Sequence, residues 1–162
     1  MSYRSGRHFL QIPGPSNTPE RILRAIDSAV MDHRGPEFGV MARSLLDELK
    51  LIFNTEDEVL IFPASGTGAW EAALVNTLSP GDRVVMYESG HFATLWRDLA
   101  NRLGFRAEFI DGDWRNPINP SLLENLLVDD SAGEIKAVCI VHNETSTGMV
   151  NDIGAVRNVM DS

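Results

Sequence analysis

Residues 59–75 read Val-Leu-Ile-Phe-Pro-Ala-Ser-Gly-Thr-Gly-Ala-Trp-Glu-Ala-Ala-Leu-Val. The apolar run 59–62 is short enough to predict a buried strand, and segment 69–75 is rich in residues that favour a helix. Strand, small polar loop and helix therefore follow one another here. This order is typical of an α/β fold.

The loop between this strand and helix, residues 63–68, has the composition of an anion site. Free backbone N–H groups and the positive end of the helix dipole meet at such a point. Ser65 and Thr67 add hydroxyl donors, and Gly66 and Gly68 let an anion approach the backbone closely. The loop therefore predicts a phosphate site. The alternative is an ordinary strand-to-helix turn with Ser65 or Thr67 as the N-cap.

Three more specific motifs do not match this loop. A dinucleotide-binding fingerprint needs a third glycine where Glu71 stands, and a Walker A loop needs a lysine that the loop lacks. A hydrolase nucleophile elbow needs glycines two residues to either side of Ser65, where Pro63 and Thr67 are found. From the residues alone, the molecule that carries the phosphate stays open.

Composition narrows the class of protein. The chain has 162 residues, 43% of them hydrophobic, which suits one domain or a piece of a larger one. A net charge of −9 argues against nucleic acid and against anionic membrane surfaces as partners. The single cysteine, Cys139, lies in an apolar run, and Arg4, Arg7 and His8 are not followed by the apolar segment of a secretory signal. A cytoplasmic location is expected.

Strand and helix patterns alternate along most of the chain, which predicts a parallel α/β sheet. Polar loops around Ser65, at 89–91 and at 143–147 follow predicted strands, and we expect them to meet at one edge of the sheet. The predicted strands are 59–62, 83–87, 107–110 and 136–141. The predicted helices are one capped by Thr18 that extends to Val30, one from Glu37 to Phe53 with an apolar packing stripe, and others at 69–75, 92–103, 120–127 and from Asp152.

No metal site and no catalytic lysine are predicted. The four histidines (His8, His33, His91 and His142) have neither ligand spacing nor a cysteine or carboxylate partner close in sequence. Only Lys50 and Lys136 exist. Lys136 begins a strand and so lies ~20 Å from the ligand loops, at about 3.3 Å per strand residue.

Four motifs together resemble the class V aminotransferases, in particular the serine–glyoxylate and alanine–glyoxylate group. The motifs occur in the family's order and cover the chain from about Phe9 to its end. They are segments 12–17 (Ile-Pro-Gly-Pro-Ser-Asn), 64–74 (Ala-Ser-Gly-Thr-Gly-Ala-Trp-Glu-Ala-Ala-Leu), 90–92 (Gly-His-Phe) and 142–148 (His-Asn-Glu-Thr-Ser-Thr-Gly).

The resemblance implies a fold-type-I large domain that binds pyridoxal 5′-phosphate (PLP). Ser65, Gly66 and Thr67 match the phosphate-binding positions, and Phe92 matches the aromatic residue that stacks on the pyridine ring. Thr145 matches the hydroxyl residue at the ring oxygen, with Asn143 as a weaker candidate for that contact. Gly14 matches a segment that lines the pocket for the substrate carboxylate, and the loop at His33 and Arg34 resembles a segment near a homodimer interface.

The resemblance also implies a division of the chain and a missing set of residues. Residues 1–35 are predicted to form an N-terminal segment, and residues 36–162 the first half of the PLP-binding domain. The aspartate at the ring nitrogen, the lysine that forms the Schiff base and the arginine for the substrate carboxylate are expected beyond Ser162. The fold is therefore expected to be incomplete at its C-terminus, and the 162 residues alone are expected to be inactive.

The function that the resemblance implies is amino transfer from serine or alanine to glyoxylate. Two alternatives stay open. One is another class V PLP enzyme of the desulfurase or lyase kind. The other is a non-catalytic chain that binds a phosphate ligand, or a partner through an exposed sheet edge.

Overall fold

The computed structural model describes Leu10 and residues 12–162. They divide into two compact units, one up to Ile61 and one from Phe62 to Ser162. His8 and the other residues at positions 1–9 and 11 of the predicted N-terminal segment lie outside the described residues. The predicted division at residue 35 stays a prediction.

The first unit contains α1 (Glu20–Ile26) and α2 (Pro36–Phe53). The prediction that Thr18 caps α1 is wrong, because Pro19 occupies the N-cap position and no side chain caps the helix. The predicted extension to Val30 is also wrong. The Ser28 hydroxyl donates to the Ala25 carbonyl oxygen at 2.8 Å, and such a local bond competes with continuation of the helix.

Helix α2 matches its predicted bounds but not its predicted packing. Pro36 begins it, where a missing N–H costs nothing, and Asn54 ends it in the left-handed conformation with a φ of 49°. None of its residues is buried, and the side chain of Met41 in the apolar stripe is 47% exposed. The stripe therefore has no extensive packing partner within the described chain.

The second unit is built on a three-stranded parallel sheet of order β2-β1-β3. The central strand β1 (Arg83–Tyr87) pairs with β2 (Arg106–Ile110) on one side and with β3 (Ile135–Cys139) on the other. The chain is therefore α/β with a parallel sheet, as predicted.

Helices cover both faces of this sheet. They are α3 (Gly66–Thr77), α4 (His91–Arg102), α5 (Pro120–Asp129) and α6 (Ile153–Asp161). Side chains of β1 alternate between the two faces, as the period of two in a strand requires. Val84 and Met86 pack with residues of α3 and α4, whereas Val85 and Tyr87 pack with residues of α5 and α6.

The predicted strand 59–62 is wrong. It makes no ladder with any strand of the described chain, and Leu60 is 73% exposed. The amide of Ala64 donates instead to the carbonyl oxygen of Phe62 at 2.8 Å, which is a local turn. A short apolar run becomes a strand only when a neighbouring backbone supplies its hydrogen bonds, and β1 already has partners on both sides.

Smaller differences concern the ends of elements. Helix α3 begins at Gly66 rather than at residue 69, and β3 ends at Cys139 rather than at Val141. The polar loop after β3 contains a short antiparallel ladder between β4 (Asn143–Glu144) and β5 (Met149–Val150). No helix among the described residues is both long enough and apolar enough to span a membrane.

Candidate functional site

A cavity of about 300 Å³ lies where the loops after β1 and β3 meet the start of α3. All five residues expected to contact the cofactor line this cavity. Its lining residues are Ser65, Gly66, Thr67, Trp70, Phe92, Val141, Asn143 and Thr145. The loops that follow β1 and β3 open at the carboxyl edge of the sheet, where ligands bind in open α/β folds.

One wall of the cavity is the N-terminal turn of α3. Ser65 occupies the N-cap position with extended backbone (φ −85°, ψ −179°), but its hydroxyl makes no capping hydrogen bond. The alternative of a turn capped by a side chain is therefore not observed at Ser65. Exposed hydroxyl groups of Ser65 and Thr67 stand beside the first amides of a 12-residue helix, which is a suitable arrangement for an anion.

Gly68 allows this wall to be tightly folded. A Cβ atom at position 68 would lie 2.6 Å from the Cβ of Ala64, much closer than two carbons approach. The amide of Gly68 donates to the carbonyl oxygen of Ser65 at 2.9 Å and closes the turn. A Cβ at Gly66, in contrast, would meet nothing within 4 Å.

Aromatic rings form a second wall. The rings of Phe92 and Trp70 meet edge to face, with centroids 6.3 Å apart, and Trp70 stacks on Trp96 at 5.3 Å. Sequence reasoning did not assign Trp70 to the site. Its position three residues after Thr67 placed both on one face of α3, and this spacing was the available signal.

The third wall is the loop after β3, and Glu144 holds it to α4. The Glu144 side chain is almost fully buried, and its carboxylate accepts hydrogen bonds from the amides of Phe92 (3.3 Å) and Ala93 (3.0 Å). The amide and hydroxyl of Ser146 donate to the same carboxylate at 3.1 and 2.7 Å. Sequence reasoning missed this role, because nothing in a polar loop indicates which distant amides a glutamate will meet.

The charge of Glu144 is favoured by these contacts. Burial alone raises the pKa of this carboxyl, but the hydrogen bonds from Ser146, Ala93 and Phe92 outweigh it, and the pKa is lowered from its ordinary value. Glu144 is therefore a carboxylate at neutral pH.

The other candidate residues have the following surroundings. Gly14 lies in a bend of the first unit. Lys50 pairs with Glu58 at 3.0 Å, and Lys136 donates to the Gly133 carbonyl oxygen at the start of β3. Lys136 does not line the cavity, and in the part of the chain that the structure describes no group of three or more side chains could hold a metal ion.

Cys139 is not suited to act as a nucleophile. It packs against the core on the face of the sheet that α3 and α4 cover. Burial there raises the pKa of its thiol to about 11. The thiol is protonated at neutral pH, and a protonated thiol is a poor nucleophile.

Comparison with known proteins relates this chain to transaminases. The family model described as "Aminotransferase class-V" matches residues 8–161. The serine–glyoxylate aminotransferase of Arabidopsis thaliana is 46% identical over 160 residues, which are 98% of this chain and 40% of that protein. The L-aspartate–glyoxylate aminotransferase of Paracoccus denitrificans is 41% identical over 152 residues, 93% of this chain and 38% of that protein.

Solved structures agree with this placement. The alanine–glyoxylate aminotransferase of a Nostoc species superposes with a TM-score of 0.81 at 26% identity, over 97% of this chain and 42% of that one. The chain thus spans about 40% of the length of the curated relatives that it matches.

Proposed function

The chain belongs to the class V aminotransferase family, and we propose that it is the N-terminal, cofactor-binding part of a PLP-dependent enzyme that transfers an amino group from serine or alanine to glyoxylate. The observation that carries the proposal is the cavity with an uncapped helix N-terminus on one wall and an aromatic ring on another. A ligand that carries both a phosphate and a planar ring can place its phosphate at the helix N-terminus and its ring against the aromatic wall.

The residues of the cavity fit PLP in their chemistry. We assign the phosphate to the α3 turn at Ser65, Gly66 and Thr67, because backbone amides, hydroxyl groups and the helix dipole all favour an anion there. We assign the face of the ring to Phe92 and its ring oxygen to Thr145, with Asn143 as the weaker candidate. When bound, PLP serves as an electron sink for the bonds at the amino acid Cα.

The tasks of these residues are binding and orientation. The α3 turn would hold the phosphate of the cofactor, and the Phe92 ring would contact the face of its pyridine ring. Gly14 is assigned to the pocket for the substrate carboxylate on the strength of the family resemblance. None of the described residues is assigned a proton-transfer role, which agrees with the position of Lys136 at the start of β3, away from the cavity.

Glyoxylate is proposed as the amino acceptor because it occurs in the names of the Arabidopsis, Paracoccus and Nostoc proteins alike. The donors in those names are serine, aspartate and alanine. Serine and alanine are the proposed donors, and aspartate is the competitor to be tested beside them.

The reading frame beyond Ser162 gives the first test. We expect a strand that ends in aspartate soon after this residue, and a lysine after a short Ser/Gly-rich stretch about 25–30 residues later, one βα unit on. A stop codon directly after Ser162 would overturn the transaminase proposal, because the lysine that forms the Schiff base in the family is expected beyond this residue.

The second test measures the Phe92 contact in the protein expressed from its complete reading frame. Phe92→Leu is expected to weaken binding of PLP and to slow glycine formation from glyoxylate with serine as donor. Phe109→Leu is the matched control. Phe109 packs against the core between the sheet and helices α3 and α4, and it does not line the cavity. Equal losses in both variants would contradict the stacking assignment.

A homodimer and a cytoplasmic location complete the proposal. On α2, the exposed side chains of Val40, Met41 and Leu45 line a shallow surface cavity, which supports an interface with a second copy. Light scattering is expected to give a dimer for the wild type and a monomer for Leu45→Glu. The free thiol of Cys139 is compatible with a reducing compartment.

A further inference from the structure

We propose that Glu144 is the positioning residue of the cofactor ring. It fixes Phe92 and Thr145, from two segments distant in sequence, in one arrangement against the cavity. This inference rests on the proposed function, since it concerns how that same cavity holds a ring. Neither the family resemblance nor the sequence pattern assigned a task to Glu144.

Three consecutive amides of α4 donate to the loop after β3. His91 donates to the Ser146 hydroxyl at 2.9 Å, Phe92 to Glu144 Oε1 at 3.3 Å, and Ala93 to Glu144 Oε2 at 3.0 Å. The backbone of Phe92 is therefore fixed on both sides of its own Cα. These amides belong to the first turn of a helix, where no partner exists within the helix itself.

The same carboxylate also fixes Thr145. Ser146 donates to Glu144 Oε1 through its amide at 3.1 Å and through its hydroxyl at 2.7 Å. Thr145 lies between these two residues in the sequence. The hydrogen bonds from Ser146 to Glu144 therefore hold the backbone on both sides of Thr145. The two residues assigned to the ring, Phe92 and Thr145, are thus tied to one side chain.

The backbone before α4 and the loop after β3 are closely packed at Gly90. A Cβ at Gly90 would lie 2.5 Å from the Cγ of Glu144 and 2.6 Å from the hydroxyl oxygen of Ser146. Backbone and carboxylate are therefore in direct contact, and a small movement of Glu144 must move α4.

Charge explains why a carboxylate suits this position. None of the ion pairs in the described chain involves Glu144, so its negative charge is compensated by donated hydrogen bonds and by the positive end of α4. A glutamine has one acceptor oxygen in place of two. It cannot accept from Phe92 and Ala93 as the carboxylate does, and its NH₂ group would face an amide donor.

The phosphate half of the cavity is independent of this contact. The turn at 65–67 is closed by the hydrogen bond from the Gly68 amide to the Ser65 carbonyl oxygen, and within the described part of the chain no hydrogen bond joins it to Glu144 or Ser146. Loss of the carboxylate should therefore weaken ring binding and leave phosphate binding unchanged. A residue with only a general stabilising role would weaken both.

The experiment compares two ligands on the protein expressed from its complete reading frame. Pyridoxine 5′-phosphate has the ring and the phosphate but no aldehyde, whereas inorganic phosphate tests the α3 turn alone. For Glu144→Gln we expect the Kd of pyridoxine 5′-phosphate to rise about tenfold, because charge-assisted hydrogen bonds are lost, and that of phosphate to change less than about twofold.

Glu108→Gln is the matched control. Glu108, in the middle of β2, pairs with Arg83 at 2.6 Å and does not line the cavity, so the same substitution there should change neither affinity. If Glu144→Gln does not fold, Ser146→Ala takes its place: it keeps the carboxylate but removes the link to His91, and about a threefold loss confined to the ring ligand is expected.

Each other outcome is decisive. Unchanged affinity for pyridoxine 5′-phosphate in the variants, or equal losses for both ligands, would overturn the positioning role while the proposed function stands. Failure of the wild type to bind pyridoxine 5′-phosphate would overturn the proposed function, and this inference with it.

Discussion

The tight turn at the start of α3 offers a quantitative test of the proposed phosphate site. In Gly68→Ala the new Cβ would lie 2.6 Å from the Cβ of Ala64, well inside the 3.4 Å at which ordinary contact begins. Overpacking of this kind costs about 1–3 kcal/mol. Alanine favours a helix over glycine by about 0.5–1 kcal/mol, so the midpoints of the two ranges give an expected net loss of unfolding free energy of about 1 kcal/mol.

A second substitution should restore what the first removes. Ala64→Gly deletes the atom with which the new Cβ collides, at the cost of extra freedom in the unfolded chain, about 0.4–1 kcal/mol. The double variant is therefore expected within about 0.5 kcal/mol of the wild type, because the helix gain at position 68 offsets that cost. Gly66→Ala is the control, since its Cβ would meet nothing within 4 Å.

The assay is urea unfolding of the protein expressed from its complete reading frame, together with inorganic phosphate affinity for each variant. Gly68→Ala should lose phosphate affinity because Ala64 must move and Ser65 follows it, and the double variant should regain it. A Gly68→Ala variant as stable as the wild type would refute the turn geometry. The turn geometry would also be refuted if the double variant Ala64→Gly/Gly68→Ala were no more stable than Gly68→Ala alone.

Three further predictions concern the fold around the site. On α5, Leu123→Ala at a fully buried side chain should lower the unfolding free energy by about 3–5 kcal/mol, whereas Leu122→Ala, at a side chain 40% exposed, should cost about 1 kcal/mol in the same urea assay. Burial raises the pKa of the Cys139 thiol from 9.0 to about 11, so alkylation of the folded protein should accelerate only near pH 11. Because this pKa lies above that of the unfolded chain, the thiol leaves stability unchanged below about pH 9 and lowers it as pH rises toward 11. Asp152→Ala removes the side chain that caps α6 by accepting from the Ala155 amide at 2.9 Å, and should lower the melting temperature by the loss of about 1 kcal/mol.

Elements with strong local signals could be predicted from the sequence. The strand at Arg83–Tyr87 is a short apolar run, and the caps at Asn119 and Asp152 are side chains that favour that position by their own chemistry. The convergence of the loops after β1 and β3 followed from parallel topology. The loop at Ser65 joins them at the cavity although the strand predicted before it does not form.

Three of the failures share one physical cause, which is a dependence on distant partners. The run 59–62 has strand composition, but a strand also needs a neighbouring backbone, and none in the described chain pairs with it. The stripe on α2 has core periodicity, but periodicity does not say what covers it. Glu144 has no local signal at all, because its partners lie 51 and 52 residues away in the sequence.

The cavity therefore combines two kinds of structure with different sensitivities. The proposed phosphate half is one continuous turn, closed by the hydrogen bond from Gly68 to Ser65, and it depends on local backbone conformation. The proposed ring half depends on Glu144 and Ser146, which hold α4 to the loop after β3, and this requires β1 and β3 to be paired in the sheet. Partial unfolding that separates β3 from β1 should consequently abolish ring binding first and leave a weak phosphate site at α3.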